Sequence, residues 1–132
     1  MDTIILYRAV DEDELEDILR FGDYGLSPHG GGKYFGLTLG GVERFANNPF
    51  NADQRLTITA ISIPRSFLAL GYQFNDPDGA GSSIHFADEV LTDLYEASEL
   101  PQILSARWVP IIGGLVLFGL SFPLKKLMHG VN

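Results

Sequence analysis

Residues 108–124 run for 17 positions without a charge, between Arg107 and Lys125-Lys126, and any fold for this chain has to hide them. That length is the lower limit for a helix crossing a bilayer. Pro110, Pro123, Gly113, Gly114 and Gly119 suit a helix poorly, although a membrane tolerates such residues better than water does. The other solution is a β-hairpin, Val109–Ile112 and Leu115–Phe122 joined at Gly113-Gly114, with strands buried on both faces. Buried strands are the favoured expectation, and membrane contact through 108–124 is the competing one.

Charge is divided just as unevenly. Residues 1–99 hold all 17 acids against six bases, while the remaining 33 residues hold Arg107, Lys125 and Lys126 and no acid. An acidic body repels a phosphate backbone, so bulk nucleic-acid binding is not expected, though a pocket could still grip one nucleotide. At 132 residues, 45% apolar, the chain is expected to form one domain with its own core. The absence of Cys excludes disulfide and thiolate chemistry and fits a reducing, cytoplasmic setting. His29, His85 and His129 match no ligand spacing, so no metal is expected. Met1-Asp2-Thr3 lacks a basic n-region and Ile4–Leu6 is short, so no secretory leader is expected.

Thr3–Ala9, rich in Ile, Leu and Tyr, predicts a strand. Asp11 and Glu14 have capping-box spacing, Leu15, Ile18 and Leu19 make an apolar stripe, and Gly22 is a stop. Together these predict a helix to about Arg20 whose acidic run is a solvated face. The glycine-rich segment 22–33 reads as a loop before a short strand, Tyr34–Leu37. Thr38 is a fitting N-cap for a second helix to about Asn47. Leu56–Ile63, Ile84–Thr92 and Ile103–Val109 read as further strands, with 75–83 a loop. Order and spacing favour an α+β domain over a doubly wound sheet.

Three places then stand out in chain order: Arg8 on the first strand, Gly31-Gly32-Lys33-Tyr34-Phe35-Gly36-Leu37-Thr38, and Glu89 at the head of Val90-Leu91. Cleaving nicotinamide from its ribose develops positive charge at the anomeric carbon, which a nearby carboxylate stabilises. An Arg fork suits pyrophosphate or ribose oxygens, an aromatic face suits the nicotinamide ring, and small residues let backbone approach. Consecutive on a strand, Tyr34 and Phe35 point to opposite faces, so at least one is structural. Lys33, His29 and His85 are lesser candidates; solvated Lys and satisfied surface His are the default readings.

This set resembles the ADP-ribosyltransferase fold, in particular its small bacterial and phage toxin-like members, over roughly residues 4–109. The resemblance rests on Tyr7-Arg8, on Gly32 through Thr38 before a helix, and on Glu89-Val90-Leu91 before a final strand. It implies an α+β, split β-sheet core with two N-terminal helices. It also implies NAD as co-substrate, Glu89 as catalytic residue, and Arg8, Gly32, Tyr34, Phe35 and Thr38 as the NAD-binding set. The implied activity is effector- or toxin-like transfer of ADP-ribose to a macromolecular acceptor, foremost a protein, or hydrolysis of NAD, in a cytoplasm. Ala87 stands where many arginine-modifying members carry a second acid or amide, and a Ser-Thr-Ser triplet is absent. These departures keep a second expectation open: a catalytically inactive, acidic binding or inhibitor module of the same fold.

Overall fold

Thr3–Val10 forms β1, and it organises everything that follows. Its eight residues pair with β3 (Thr57–Pro64) in one unbroken antiparallel register, from Thr3↔Pro64 to Val10↔Thr57. β3 is buried along most of its length because it lies inside the sheet with both faces covered. The computed structural model describes residues 2–51, 54–76 and 79–106, and the short strands 111–112, 115–116 and 122–123.

The elements run β1, α1 (Glu12–Phe21), β2 (Lys33–Gly36), α2 (Leu39–Ala46), β3, β4 (Tyr72–Phe74), β5 (Ser83–Phe86), α3 (Asp88–Ala97) and β6 (Gln102–Ala106). They are followed by β7 (Ile111–Ile112), β8 (Leu115–Val116) and β9 (Phe122–Pro123). Short 3-10 turns lie at Pro49–Asn51 and Arg65–Leu70. The main sheet has the order β4-β5-β2-β1-β3-β6-β9, and its described pairings are antiparallel, so the domain is α+β.

One face of this sheet carries the main core, in which Leu6, Val10, Phe35, Ile61, Ile84 and Phe86 meet Leu15 and Ile18 of α1 and Leu91 and Leu94 of α3. Each such side chain contributes roughly 1.5–3 kcal/mol by leaving water. The opposite face is covered only in part. There α2 lays Val42 and Ala46 over Leu56 and Ile58, with Tyr7, Ala9 and Phe45 alongside.

The caps act where the residues predict. Asp11 accepts from the Glu14 amide and Gly22, at φ 84, ends α1. Thr38 accepts from the Gly41 amide at the start of α2.

The strand expected over Ile84–Thr92 is corrected. β5 stops at Phe86 and a helix begins at Asp88. Leu91 and Leu94, with Val90 and Tyr95 packed beside them, recur at helical spacing and bury against the core. Asp88 and Glu89 fall in the first turn, where the helix dipole favours acids. β4 and the 3-10 turn at Arg65–Leu70 have no counterpart in the sequence reading, whereas Pro49–Asn51 falls in the polar turn expected over residues 47–54.

Within the 108–124 run, Ile111–Ile112 pairs antiparallel with Leu115–Val116, as the hairpin reading requires. The rest of the expected hairpin, apart from the pairing of Phe122–Pro123 with β6, lies outside the described residues. Among the described residues no helix is long and apolar enough to cross a membrane.

Candidate functional site, a cleft at the β1–β2 seam

Where β1 meets β3 there are eight paired positions; where it meets β2 there is one, Tyr7↔Gly36. The sheet therefore parts between β1 and β2. A cavity of about 400 Å³ opens at the parting, a size at the lower end of small-molecule sites. Its walls are Tyr7 and Arg8 from β1, Tyr34, Phe35 and Gly36 from β2, and Ser83 from β5. Asp11 and Glu14 close one end; Val42 and Phe45 of α2, with Ala80 and Leu56, close another.

Arg8 is the hub of this seam. Its Nε and NH2 groups donate to Glu14 Oε2 and Oε1 at 2.6 and 2.9 Å, and NH1 donates to the Tyr34 carbonyl at 2.7 Å. The guanidinium also lies 5.8 Å from the centroid of the Phe35 ring, within cation–π range. Lys33, buried on β2, donates to Glu14 Oε1 at 3.0 Å. One carboxylate thus ties the first strand, the first helix and the second strand together.

Electrostatics follow from the burial. Loss of water alone would raise the Glu14 carboxyl, but the hydrogen bond and charge of Arg8, backed by Lys33, overcome it and hold that group below its ordinary value. Loss of water likewise opposes the charge on Arg8, and Glu14 more than compensates. Around this triad stand two phenols that burial pushes up so far that they serve only as neutral hydrogen-bonding groups. Tyr24 shares a 2.7 Å bond with Thr59, whose hydroxyl donates to the Arg8 carbonyl, and Tyr95 donates to the Gly25 carbonyl.

The residues singled out by sequence divide into two groups. Arg8, Tyr34 and Phe35 line one cleft. Of the aromatic pair, Phe35 is core and Tyr34 is half exposed, which settles the alternation left open by the sequence. Gly32, Thr38 and Glu89 are not among the residues lining that cleft.

Gly32, at φ 73, lets the chain pass the β5 end. A Cβ there would run into the Phe86 carbonyl oxygen and the His85 ring. The Thr38 hydroxyl is engaged as the α2 cap. Glu89 is exposed in the first turn of α3. His29 is exposed in its loop, and His85 Nε2 lies 2.7 Å from the Gly31 carbonyl oxygen, pinning that loop to β5.

Glu14 escaped the sequence reading, which placed it on a solvated face. The signal was present: Glu14 lies four residues before Ile18, on the same side of α1 as the buried stripe. Lys33 also departs from its default, since it is buried and ion-paired. Ser83, buried on β5 at the cleft, was not singled out at all.

No protein family, curated protein or solved structure matches this chain.

Proposed function

We propose that this chain binds a pyridine dinucleotide, NAD or a close analogue, in the seam cleft, as a binding module of the ADP-ribosyltransferase-like type. The observation that carries this reading is the parting of β1 from β2 at a cavity lined by Arg8, Tyr34 and Phe35. A split sheet with that set at the split is what the resemblance implies.

Tyr34 offers a half-exposed ring for a planar heterocycle. Three of the five N–H groups on Arg8 are taken by Glu14 and Tyr34, which leaves two for a ligand oxygen. Glu89 stands outside the cleft lining, which supports binding over a transfer step run by that residue.

One observation favours the second reading, transfer of ADP-ribose to a macromolecular acceptor. Glu14 lines the cleft and is held ionised there by Arg8 and Lys33, so a carboxylate does stand at the seam.

Calorimetric titration with NAD, paired with chromatographic assay of nicotinamide release, tests both. The binding reading expects saturable NAD binding, weakened about tenfold by Tyr34→Ala, with no turnover. Failure of NAD to bind the folded protein overturns it. Nicotinamide release that disappears in a folded Glu14→Gln variant replaces it with an enzymatic reading, transfer if an added acceptor protein gains ADP-ribose and hydrolysis to free ADP-ribose if it does not.

A further inference from the structure

The seam cleft, at about 400 Å³, is small for a whole dinucleotide. Two heterocycles, two riboses and a pyrophosphate outrun a cavity of about 400 Å³. One ring therefore lies outside, on whatever surface borders the mouth.

Tyr34 belongs to that border as well as to the cleft. On its far side its ring centroid lies 4.6 Å from His85 and 5.6 Å from Phe74. The register explains the grouping: Tyr34 pairs with His85 across β2–β5, and the next strand sets Tyr72 opposite His85 and Phe74 opposite Ser83. α2 packs over β1, β3 and the Gly36 end of β2, where Val42 sits, and it leaves the Tyr34 and Phe74 rings exposed. Phe74 is 41% exposed and Tyr34 49%.

The residues of β4, Tyr72-Gln73-Phe74, carry no charge. An aromatic surface bordering a cleft that holds Arg8 suits a flat ring attached to a phosphate tether. Base stacking on such rings is tolerant of sequence and adds about tenfold or more in affinity per base.

We propose that Phe74 and His85, joined to the cleft by Tyr34, form the stacking subsite for the purine of the dinucleotide. The subsite rests on the cleft being the dinucleotide site. It assigns the nicotinamide end to the seam and the adenine end to the exposed face of β2, β5 and β4. Phe50, 94% exposed next to the lining residue Asn51, is the rival position on the other rim.

The experiment titrates NAD, ADP-ribose and nicotinamide mononucleotide into the wild-type protein and into Phe74→Ala, Phe74→Tyr and Phe50→Ala. Folding of each variant is checked by circular dichroism. The expected result is a loss of about tenfold for NAD and ADP-ribose in Phe74→Ala. Nicotinamide mononucleotide is unaffected, Phe74→Tyr restores affinity, and Phe50→Ala is silent. Equal weakening of all three ligands, or a loss confined to Phe50→Ala, overturns the subsite while the cleft reading stands. Absence of binding by all three overturns both.

Discussion

NH1 of Arg8 lies 2.7 Å from the carbonyl oxygen of Tyr34, so a side chain of β1 takes up a backbone acceptor of β2 at the place where the two strands part. The ladder is interrupted and a cation spans the interruption. Glu14 fixes that cation from the opposite edge with a two-point contact, the geometry that suits a guanidinium best. The gap is thus bridged by an ion pair whose charges are themselves largely removed from water.

Removing the carboxylate should be costly. Glu14→Gln leaves Arg8 and Lys33 partly buried without their shared counter-ion, and breaking such a pair costs about 3 kcal/mol. Urea denaturation of the two proteins checks this. A difference below roughly 0.5 kcal/mol, the range of an ordinary surface change, would show that the seam does not depend on Glu14.

The same carboxylate makes stability depend on pH in a stated direction. Its folded value lies below the ordinary 4.5. The native state therefore binds fewer protons there than the unfolded chain, and the stabilisation is complete above about pH 4.5 and is lost as pH falls through the folded value. The stability gap between wild type and Glu14→Gln should narrow progressively as pH falls below about 4.5. Parallel stability curves from pH 7 to pH 3 would remove Glu14 from the account of acid unfolding.

Glu89→Gln should change little. The side chain is exposed in the first turn of α3, so stability should move by no more than about 0.5 kcal/mol, and NAD affinity should stay at the wild-type value. An affinity loss of tenfold, measured by calorimetry, would bring Glu89 back to the ligand.

Two neighbouring glycines of α2 should respond with opposite signs. Gly40→Ala meets only the tip of Arg44 at 3.7 Å and should gain up to about 1 kcal/mol from helix propensity. Gly41→Ala would drive a methyl into the Ala80 carbonyl, losing about 1–3 kcal/mol and displacing a residue of the cleft wall. Thermal denaturation separates them, and stabilisation of both would show that Ala80 yields freely.

Much of the frame was legible because local chemistry spells it out. Asp11 and Gly22 bracket α1, Thr38 opens α2, and the β-branched run before Pro64 is β3. The segment after Phe86 was misread because Ile84 and Phe86 lead straight into Val90-Leu91, and short apolar runs look alike as strand or helix. The longer recurrence through Leu94 and Tyr95 is what makes it helical.

The candidate site was legible only in part. Arg8, Tyr34 and Phe35 do gather in one cleft. Thr38 caps α2, Gly32 makes a close passage and Glu89 stands at a helix start, all three outside the cleft lining. Each is a local duty that a short motif cannot distinguish from ligand contact.

By itself the sequence determined which segments could become helices and strands and where they end, because caps, turns and periodicity act over a few residues. Only the tertiary structure decided that β1 and β2 share a single paired position, and that a carboxylate six residues beyond Arg8 turns inward to hold the gap. Register between strands and the pairing of buried charges come from packing summed over the whole sheet, and no short stretch of residues contains that sum.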